Sequence, residues 1–418
     1  MEKKELILAT CGFPWGKGEK TFIIPELIYL QKEYNITIIA NVNDKIARRS
    51  EWITEVDNCV KVIRYNPDKV SVKKKILGSI RALFSPLMYK EIIKLIKQRD
   101  NIMERLVESI GYYVFASEYA RWAKRKGIIK ENVQVVFYSY WSIYFHLAAI
   151  MLKKEFQNLK VISRMHGMDL YNERYKGGRQ PFKWKEDEES DVLIFASEYG
   201  KQYFLSHFAQ DVRMRKYMTC KLGIDGVQIN CKHNDERVWH LVSCSNVIPL
   251  KRVNLIVEGL SQLHDIPIEW THFGDGEEIL NVKKLADEKL PSNIKVDFKG
   301  YVSNEVIRNH YKTEYVDCFI TTSSTEGGCP VSIMEAMSAS VPIIGTDVGG
   351  ISEMINNNGI LLSSNPTKEE VANALREIYE MDIIAIERMR EQSMVIWKNN
   401  YDIKKNALAV LDVINELY

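Results

Sequence analysis

The sequence predicts an α/β chain of two domains, each a parallel sheet flanked by helices. Three observations predict it. Short apolar runs of buried-strand type recur between longer helix-patterned stretches, the order that builds βαβ units. A polar run from Gln228 to Arg237, QINCKHNDER, almost lacks apolar periodicity and reads as the linker between two halves. In the second half, the stretch from Ser323 to Gly350, SSTEGGCPVSIMEAMSASVPIIGTDVGG, places two acids around a glycine turn and a proline-started helix, followed by a strand and a second glycine pair.

In chain order, LILAT reads as a first buried strand and CGFPWGKGEKTF as a glycine-rich loop, which Gly16 and Gly18 could shape into the wall of a cleft. A helix around Ile24–Lys32 and the strand ITIIAN complete a βαβ unit. The glycine spacing does not match GxGxxG, so a dinucleotide site is not indicated. Residues 69–125 are rich in Lys and Arg, with apolar residues such as Ile92, Ile93, Leu95 and Ile96 at helix-like intervals. Two readings stand here: a solvated helical face packed on its own domain, or a basic amphipathic surface lying on anionic lipid.

VQVVFYSYW and LKVISRMHGMDLY are two further strands, each ending in polar residues. Ligands of open α/β sheets bind beyond the carboxyl ends of strands, so His166, directly after VISRM and before Gly167 and Asp169, is a candidate. The next segment, NERYKGGRQPFKWK, is polar and basic. Its Arg174, Lys176 and Arg179 could meet an acceptor phosphate, and a solvated loop explains them equally well. DVLIFASEYGKQYF adds another strand and helix before the linker.

The second half opens with WHLVSCSNVIPLKRVNLIVEGL, a strand, a polar turn and an apolar helix. Lys251 and Arg252 lie in that turn. Cations at a helix start oppose the helix dipole, which suggests a compensating anion. IEWTHFGDGEE closes another strand at Gly274 and Gly276, IKVDFKGYV ends in Gly300, Tyr301 and Val302, and CFITTSS leads into the long motif. There, Pro330 has its φ preset and lacks an N–H that the first helical turn would leave unpaired. The amides of Val331, Ser332 and Ile333 then carry the positive end of the helix dipole, a place for phosphate. Gly327 and Gly328 let backbone approach a ligand closely. GILL, a helix from Asn365-Pro366 and a helical stretch from about Ile384 to Tyr418 finish the chain, with Trp397, Tyr401, Ala407, Val410 and Leu411 on its apolar face.

Composition narrows the function class. A net charge of +2 over 418 residues gives no overall field for nucleic acid. Seven cysteines, with no CxxC pair and no metal-ligand spacing, read as reduced side chains of a cytosolic protein. The apolar run near Met1 is too short and too acidic-flanked for a secretion signal, and no stretch approaches the roughly 20 apolar residues that span a bilayer. The expected location is the cytoplasm, with the inner face of the cell membrane as a peripheral site if the basic region meets lipid.

The motif Glu326-Gly327-Gly328-Cys329-Pro330 through Glu335 resembles the donor-binding signature of the retaining glycosyltransferases of family 4, the glycosyl transferases group 1. That resemblance implies the GT-B architecture: two Rossmann-like β/α/β domains facing a deep interdomain cleft whose closure excludes water. The implied boundaries are an acceptor-binding domain over 1–225, a donor-binding domain over 226–395 and a helix over 396–418 that returns to the first domain. Carried over by position, Glu326 meets the hexose of a nucleotide sugar, Gly327, Gly328, Cys329, Pro330, Val331 and Ser332 hold sugar and diphosphate, and Glu335 binds the ribose. The spacing departs from the family, with eight residues between the acids where seven are usual. Lys251 takes the family's diphosphate lysine position. Asn246 stands where an arginine is usual, and Arg252 could substitute. Gly274 belongs to a GDG turn, while Gly300, Tyr301 and Val302 contact the base. His166 in the family's HG-x-D loop contacts the donor sugar or the reacting centre, and Asp169 orients its ring or meets the acceptor. Glu19-Lys20-Thr21-Phe22-Ile23 with Glu26 resembles another family element, with Lys20 in place of an acid.

The implied reaction is transfer, with retention, of a hexose from a UDP- or GDP-linked donor to a saccharide or lipid-linked acceptor of a cell-surface or capsular polysaccharide. The chain has no D-x-D motif, so Lys251 and the helix amides would stabilise the leaving group with no metal and no cofactor. The alternatives are an epimerase or phosphorylase on the same fold, and a non-catalytic carbohydrate-binding protein.

Overall fold

The computed structural model of the chain describes residues 4–15, 19–49, 60–98, 101–209, 216–227, 229 and 238–418. Gly16 and Gly18, and all of the 228–237 linker except Ile229, lie outside the described residues. The chain divides into two compact units, Met1–Cys220 with Ala407–Tyr418, and Lys221–Asn406. The sequence placed those boundaries at 225 and 395.

In the first unit, β1 (Lys4–Thr10), α1 (Lys20–Glu33) and β2 (Tyr34–Asn41) form the expected βαβ unit, followed by α2 (Asp44–Arg49) and β3 (Lys61–Tyr65). The helix begins earlier than its apolar pattern suggested and carries Pro25 inside it. Three helices then fill the basic region: α3 (Val72–Leu83), α4 (Pro86–Gln98) and α5 (Ile102–Arg125). The chain continues through β4 (Val135–Ser139), α6 (Tyr144–Lys153), β5 (Leu159–Met165), α7 (Lys183–Glu189), β6 (Val192–Phe195), α8 (Glu198–His207) and β7 (Tyr217–Thr219). All seven strands are parallel, in the order β3-β2-β1-β4-β5-β6-β7.

Strand alternation explains why β1 is apolar throughout. Leu6 and Leu8 enter the core on one face of the sheet, and Ile7 and Ala9 the core on the other.

The second unit contains β8 (Trp239–Cys244), α9 (Val253–Leu260), β9 (Ile268–Phe273), α10 (Ile279–Lys289), β10 (Ile294–Gly300), α11 (Asn304–Thr313), β11 (Cys318–Thr321), α12 (Val331–Ser338), β12 (Ile343–Thr346), β13 (Gly359–Leu362), α13 (Lys368–Glu380) and α14 (Ile383–Asn400). Its six parallel strands run β10-β9-β8-β11-β12-β13. Strand order reverses between β1 and β4 in one sheet and between β8 and β11 in the other. Such reversals open a crevice at the carboxyl ends, where doubly wound sheets take their ligands.

The single helical stretch expected at the end is two helices, α14 and α15 (Ile403–Asn415). The break is chemical. Tyr401 is fully buried and donates its hydroxyl to Cys329 Sγ at 3.4 Å, while the Asp402 carboxylate accepts the Lys405 amide at 3.0 Å and so caps the new helix. Val410, Val413 and Ile414 of α15 are buried in the first unit's core. Among the described residues, no helix is long and apolar enough to cross a membrane.

Candidate functional site

In the second unit, the loops after β8, β9, β10 and β11 leave the same carboxyl edge of the sheet, and they carry Asn246 to Arg252, Gly274, Tyr301 and Val302, and Glu326 to Pro330. At the strand reversal, Lys251 Nζ is paired with a carboxylate oxygen of Glu326, the two side chains 23% and 12% exposed. The Ser324 amide donates to the Leu250 carbonyl at 2.8 Å, tying the two loops together beside the pair.

Helix α12 starts at Val331, with Pro330 as its N-cap at φ −63°. The first helical bond runs from the Met334 amide to the Pro330 carbonyl. The amides of Val331, Ser332 and Ile333 therefore precede that bond, and no side chain caps them. One turn in, Glu335 is buried and its Oε1 accepts from Asn304 Nδ2 at 3.0 Å. Burial pushes its carboxyl up to about 7, against the pull of Asn304 and Arg308.

The second glycine pair fixes the height of this loop. Gly349 has φ +55°, and a Cβ there would lie 2.3 Å from the Glu326 carbonyl oxygen. Gly350 donates its amide to the Gly328 carbonyl at 3.3 Å. Gly274, at φ +140°, is equally constrained, since a Cβ would lie 1.8 Å from the Ser245 carbonyl oxygen. Cys329 is buried against Gly350 and Tyr401, and burial raises its thiol to about 12, so only its backbone is open to a ligand role.

Arg252 stands differently from its expected place. Its Nε donates to the Thr322 carbonyl at 2.6 Å, its Nη2 to the Ser323 carbonyl at 2.9 Å and the Ser364 carbonyl at 3.1 Å, and its Nη1 to Asn365 Oδ1 at 2.9 Å. Four N–H contacts are committed to the protein, and the residue sits at φ +47°. The guanidinium is a tie between loops, which leaves Lys251 as the cation of this turn. Asn246 is exposed just past β8, and Tyr301 is 67% exposed past β10.

In the first unit, His166 follows β5 directly. Its Nε2 lies 3.1 Å from the Tyr140 carbonyl, and its ring packs against Trp141 with centroids 4.4 Å apart. A carbonyl only accepts, so Nε2 carries the proton and Nδ1 a bare lone pair. Burial, with Arg164 nearby, holds the ring neutral, its pKa lowered to about 3. Asp169 does not orient the ring: its Oδ1 accepts the His166 amide at 2.8 Å and its Oδ2 the Ser142 amide at 2.7 Å. Fully buried and doubly bonded, it shapes the loop and presents no free oxygen. Arg179 is also internal, paired with the buried Glu91.

Sequence reasoning named Glu19 within a family-like element and gave it no role of its own. Its carboxylate accepts the amides of Cys11, Gly12 and Phe13 at 3.0, 2.7 and 2.8 Å, and Trp141 Nε1 at 2.6 Å. One acid thus gathers the loop after β1 and the tryptophan that packs on His166. Its position, right behind a glycine-rich loop, was the available signal. Glu26 is instead buried in an ion pair with Arg164.

Residues 230–394 match the family model described as glycosyl transferases group 1. That match lies within the second half of the chain. The O-antigen biosynthesis glycosyltransferase WbnH of Escherichia coli is 31% identical to it over 121 residues, 29% of this chain and 31% of that protein. TuaC of Bacillus subtilis (strain 168), provisionally named a teichuronic acid biosynthesis glycosyltransferase, is 28% identical over 123 residues, again 29% and 31% of the two chains. The match thus spans about a third of these relatives' length. Among solved structures, the lipopolysaccharide outer core galactosyltransferase WaaB superposes with TM-score 0.69 at 14% identity, covering 99% of this chain and 100% of that one. Anabaena Alr3699/HepE in complex with UDP-glucose gives 0.65 at 12% identity, covering 99% of each. These likenesses show the GT-B fold.

Proposed function

We propose that the chain is a retaining glycosyltransferase that moves a hexose from a UDP- or GDP-linked donor to a saccharide or lipid-linked acceptor in polysaccharide biosynthesis. The observation that carries this is the convergence, at one strand reversal, of the Lys251 ammonium, the Glu326 carboxylate and three uncapped amides opening α12. Diphosphate departure requires stabilisation of developing negative charge. The helix amides and Lys251 supply preorganised donors, and one such donor is worth roughly 3 to 4 kcal/mol in barrier height. Glu326 accepts from sugar hydroxyls and Glu335 from the ribose, with Gly300, Tyr301 and Val302 against the base. The acceptor oxygen bonds to the anomeric carbon on the face from which the phosphate oxygen departs, and the acceptor's proton passes to that phosphate. His166, neutral, serves as a hydrogen-bond acceptor through Nδ1.

No metal is needed in this reading, because lysine and helix dipole meet the phosphate charge. The purified chain is expected to release UDP or GDP from one member of a nucleotide-sugar panel, in the presence of a chelator, and to give a product of unchanged anomeric configuration. Activity that vanished on chelation and returned with magnesium would overturn the metal-free part. Inversion would overturn retention, and no nucleotide binding at all would overturn the donor site.

Contact with an anionic membrane belongs to the same proposal. Val72, Ile76, Ile80, Leu83 and Phe84 are 72, 56, 49, 64 and 83% exposed along α3 and just after it, and Tyr89, Ile93 and Ile96 continue an exposed stripe on α4. Lys73, Lys74, Arg81, Lys90, Lys94 and Lys97 flank them, and the only acid of these two helices, Glu91, is buried. Apolar side chains with a cationic border suit an anionic lipid interface. Co-sedimentation with phosphatidylglycerol vesicles, absent with phosphatidylcholine and lost in Phe84→Asp/Ile80→Glu, is the expected result; equal recovery with both lipids would refute it.

A further inference from the structure

Away from the donor loops, the first unit contains a cavity of about 380 Å³ walled by Tyr112, Phe115, Tyr144 and Tyr175, with Glu108 and Pro67. It lies at the functional end of its sheet. Tyr144 opens α6 shortly after β4, and its hydroxyl reaches Asn41 Oδ1, at the end of β2, at 3.4 Å. The Tyr112 hydroxyl donates to Glu186 Oε1 at 3.3 Å, Glu186 Oε2 accepts from Ser142 Oγ at 2.5 Å, and the Ser142 amide donates to Asp169. The wall is therefore continuous, through hydrogen bonds, with the loop that holds His166.

Tyr175 is brought to the cavity by a built contact. Arg105 Nε donates to the Gly177 carbonyl at 2.9 Å, and Gly177 packs closely on the Glu108 carboxylate, where a Cβ would lie 2.2 Å from Oε2. This clamps the loop onto α5. The hydroxyls of Tyr112 and Tyr144 are committed to protein acceptors, which leaves ring carbon as their main contribution to the wall. The Lys75 ammonium stands 5.6 Å from the centre of the Phe115 ring.

We propose that this cavity is a subsite for an uncharged sugar ring of the acceptor. The proposal rests on the transferase reading only for the word acceptor. A pyranose has a C–H face that packs on aromatic carbon and a rim of hydroxyls that donate to a carboxylate, here Glu108. The cavity's size lies at the low end of ligand clefts, suited to one small ligand. Among the described residues of the wall, Glu108 carries the one charge, and Lys75, Arg105 and Lys176 stand near enough to offset it, so the wall has no net charge that a neutral sugar would oppose. A hydrocarbon chain would strip water from that carboxyl with no hydrogen bond in return.

The test is saturation-transfer NMR on the full chain with the methyl glycosides of glucose, galactose, mannose and N-acetylglucosamine, each without nucleotide. Transfer to at least one glycoside is expected, with binding about tenfold weaker in Tyr175→Ala and in Glu108→Gln. Tyr175→Leu, which keeps apolar bulk without a ring, should weaken it equally, and circular dichroism checks that each variant is folded. No transfer to any of the four glycosides, or transfer unchanged in all three variants, overturns the proposal. UDP and GDP titrations on the same samples separate the two readings: intact nucleotide binding with no glycoside binding sinks this subsite alone, and the reverse sinks the donor site alone.

Discussion

Lys251 and Glu326 form an ion pair that bridges the loops following β8 and β11, the two strands between which the second sheet reverses its order. If that pair addresses the donor, Lys251→Ala should lower kcat/KM by about 100-fold or more, through the transition state of diphosphate departure. Its thermal stability should change little, because partly exposed ion pairs contribute little to folding. Initial rates with the matching nucleotide sugar decide this, and an unchanged rate would remove the main support for the mechanism.

Glu335 gives a pH dependence of definite sign. Its carboxyl is raised by burial from 4.5 to about 7, so the folded state holds a proton that the unfolded state has released. Stability is thus lost as pH rises from 4.5 through 7. Replacing the charge by Glu335→Gln should stabilise the second unit by up to about 3 kcal/mol at pH 8, the gain fading as pH falls toward 4.5. Melting curves across that range check it. Nucleotide affinity should move oppositely, weakening below pH 7 in the wild type and flat in the variant.

Arg252→Ala should act on folding first. It strips donors from the Thr322, Ser323 and Ser364 carbonyls, a loss of about 2 to 3 kcal/mol. A denaturant midpoint unchanged by the substitution would contradict the tie described here.

Gly349→Ala combines positive-φ strain with a clash on the Glu326 carbonyl. It should cost about 1 to 3 kcal/mol and reduce nucleotide binding by lifting the Glu326 loop. Gly300→Ala, at φ +67° but with open space around its Cβ, should bear the backbone strain alone. A larger loss of thermal stability at Gly300 than at Gly349, by melting curves, would count against this packing.

His166 should show the Nε2–H tautomer by ¹⁵N NMR, with no titration between pH 5 and 8. Its pKa is lowered from 6.5 to about 3, so the unfolded state takes the proton first. The stability it contributes is complete above pH 6.5 and is lost progressively as pH falls toward 3. A ring that titrated near 6.5 in the folded protein would refute the buried, Tyr140-bonded geometry.

The order of apolar runs and the polar linker were enough to specify two parallel α/β halves, because strand and helix periodicity and proline and glycine chemistry are local properties, whereas the roles expected of Lys251, Glu326, Glu335 and His166 came from the resemblance of their motifs to a family's. What those residues touch was decided by tertiary structure. Arg252 and Lys251 are neighbours in the chain, yet one is spent on carbonyls 70 and 71 positions away and the other pairs with Glu326. Asp169 is expected to orient the His166 ring or meet the acceptor, and its two amide partners show that it holds the loop, while Glu19 has no assigned role until the loop after β1 folds around it. The reason is physical: periodicity records which side of an element meets the core, while a polar group's role depends on which donors and acceptors from distant segments come within about 3 Å of it.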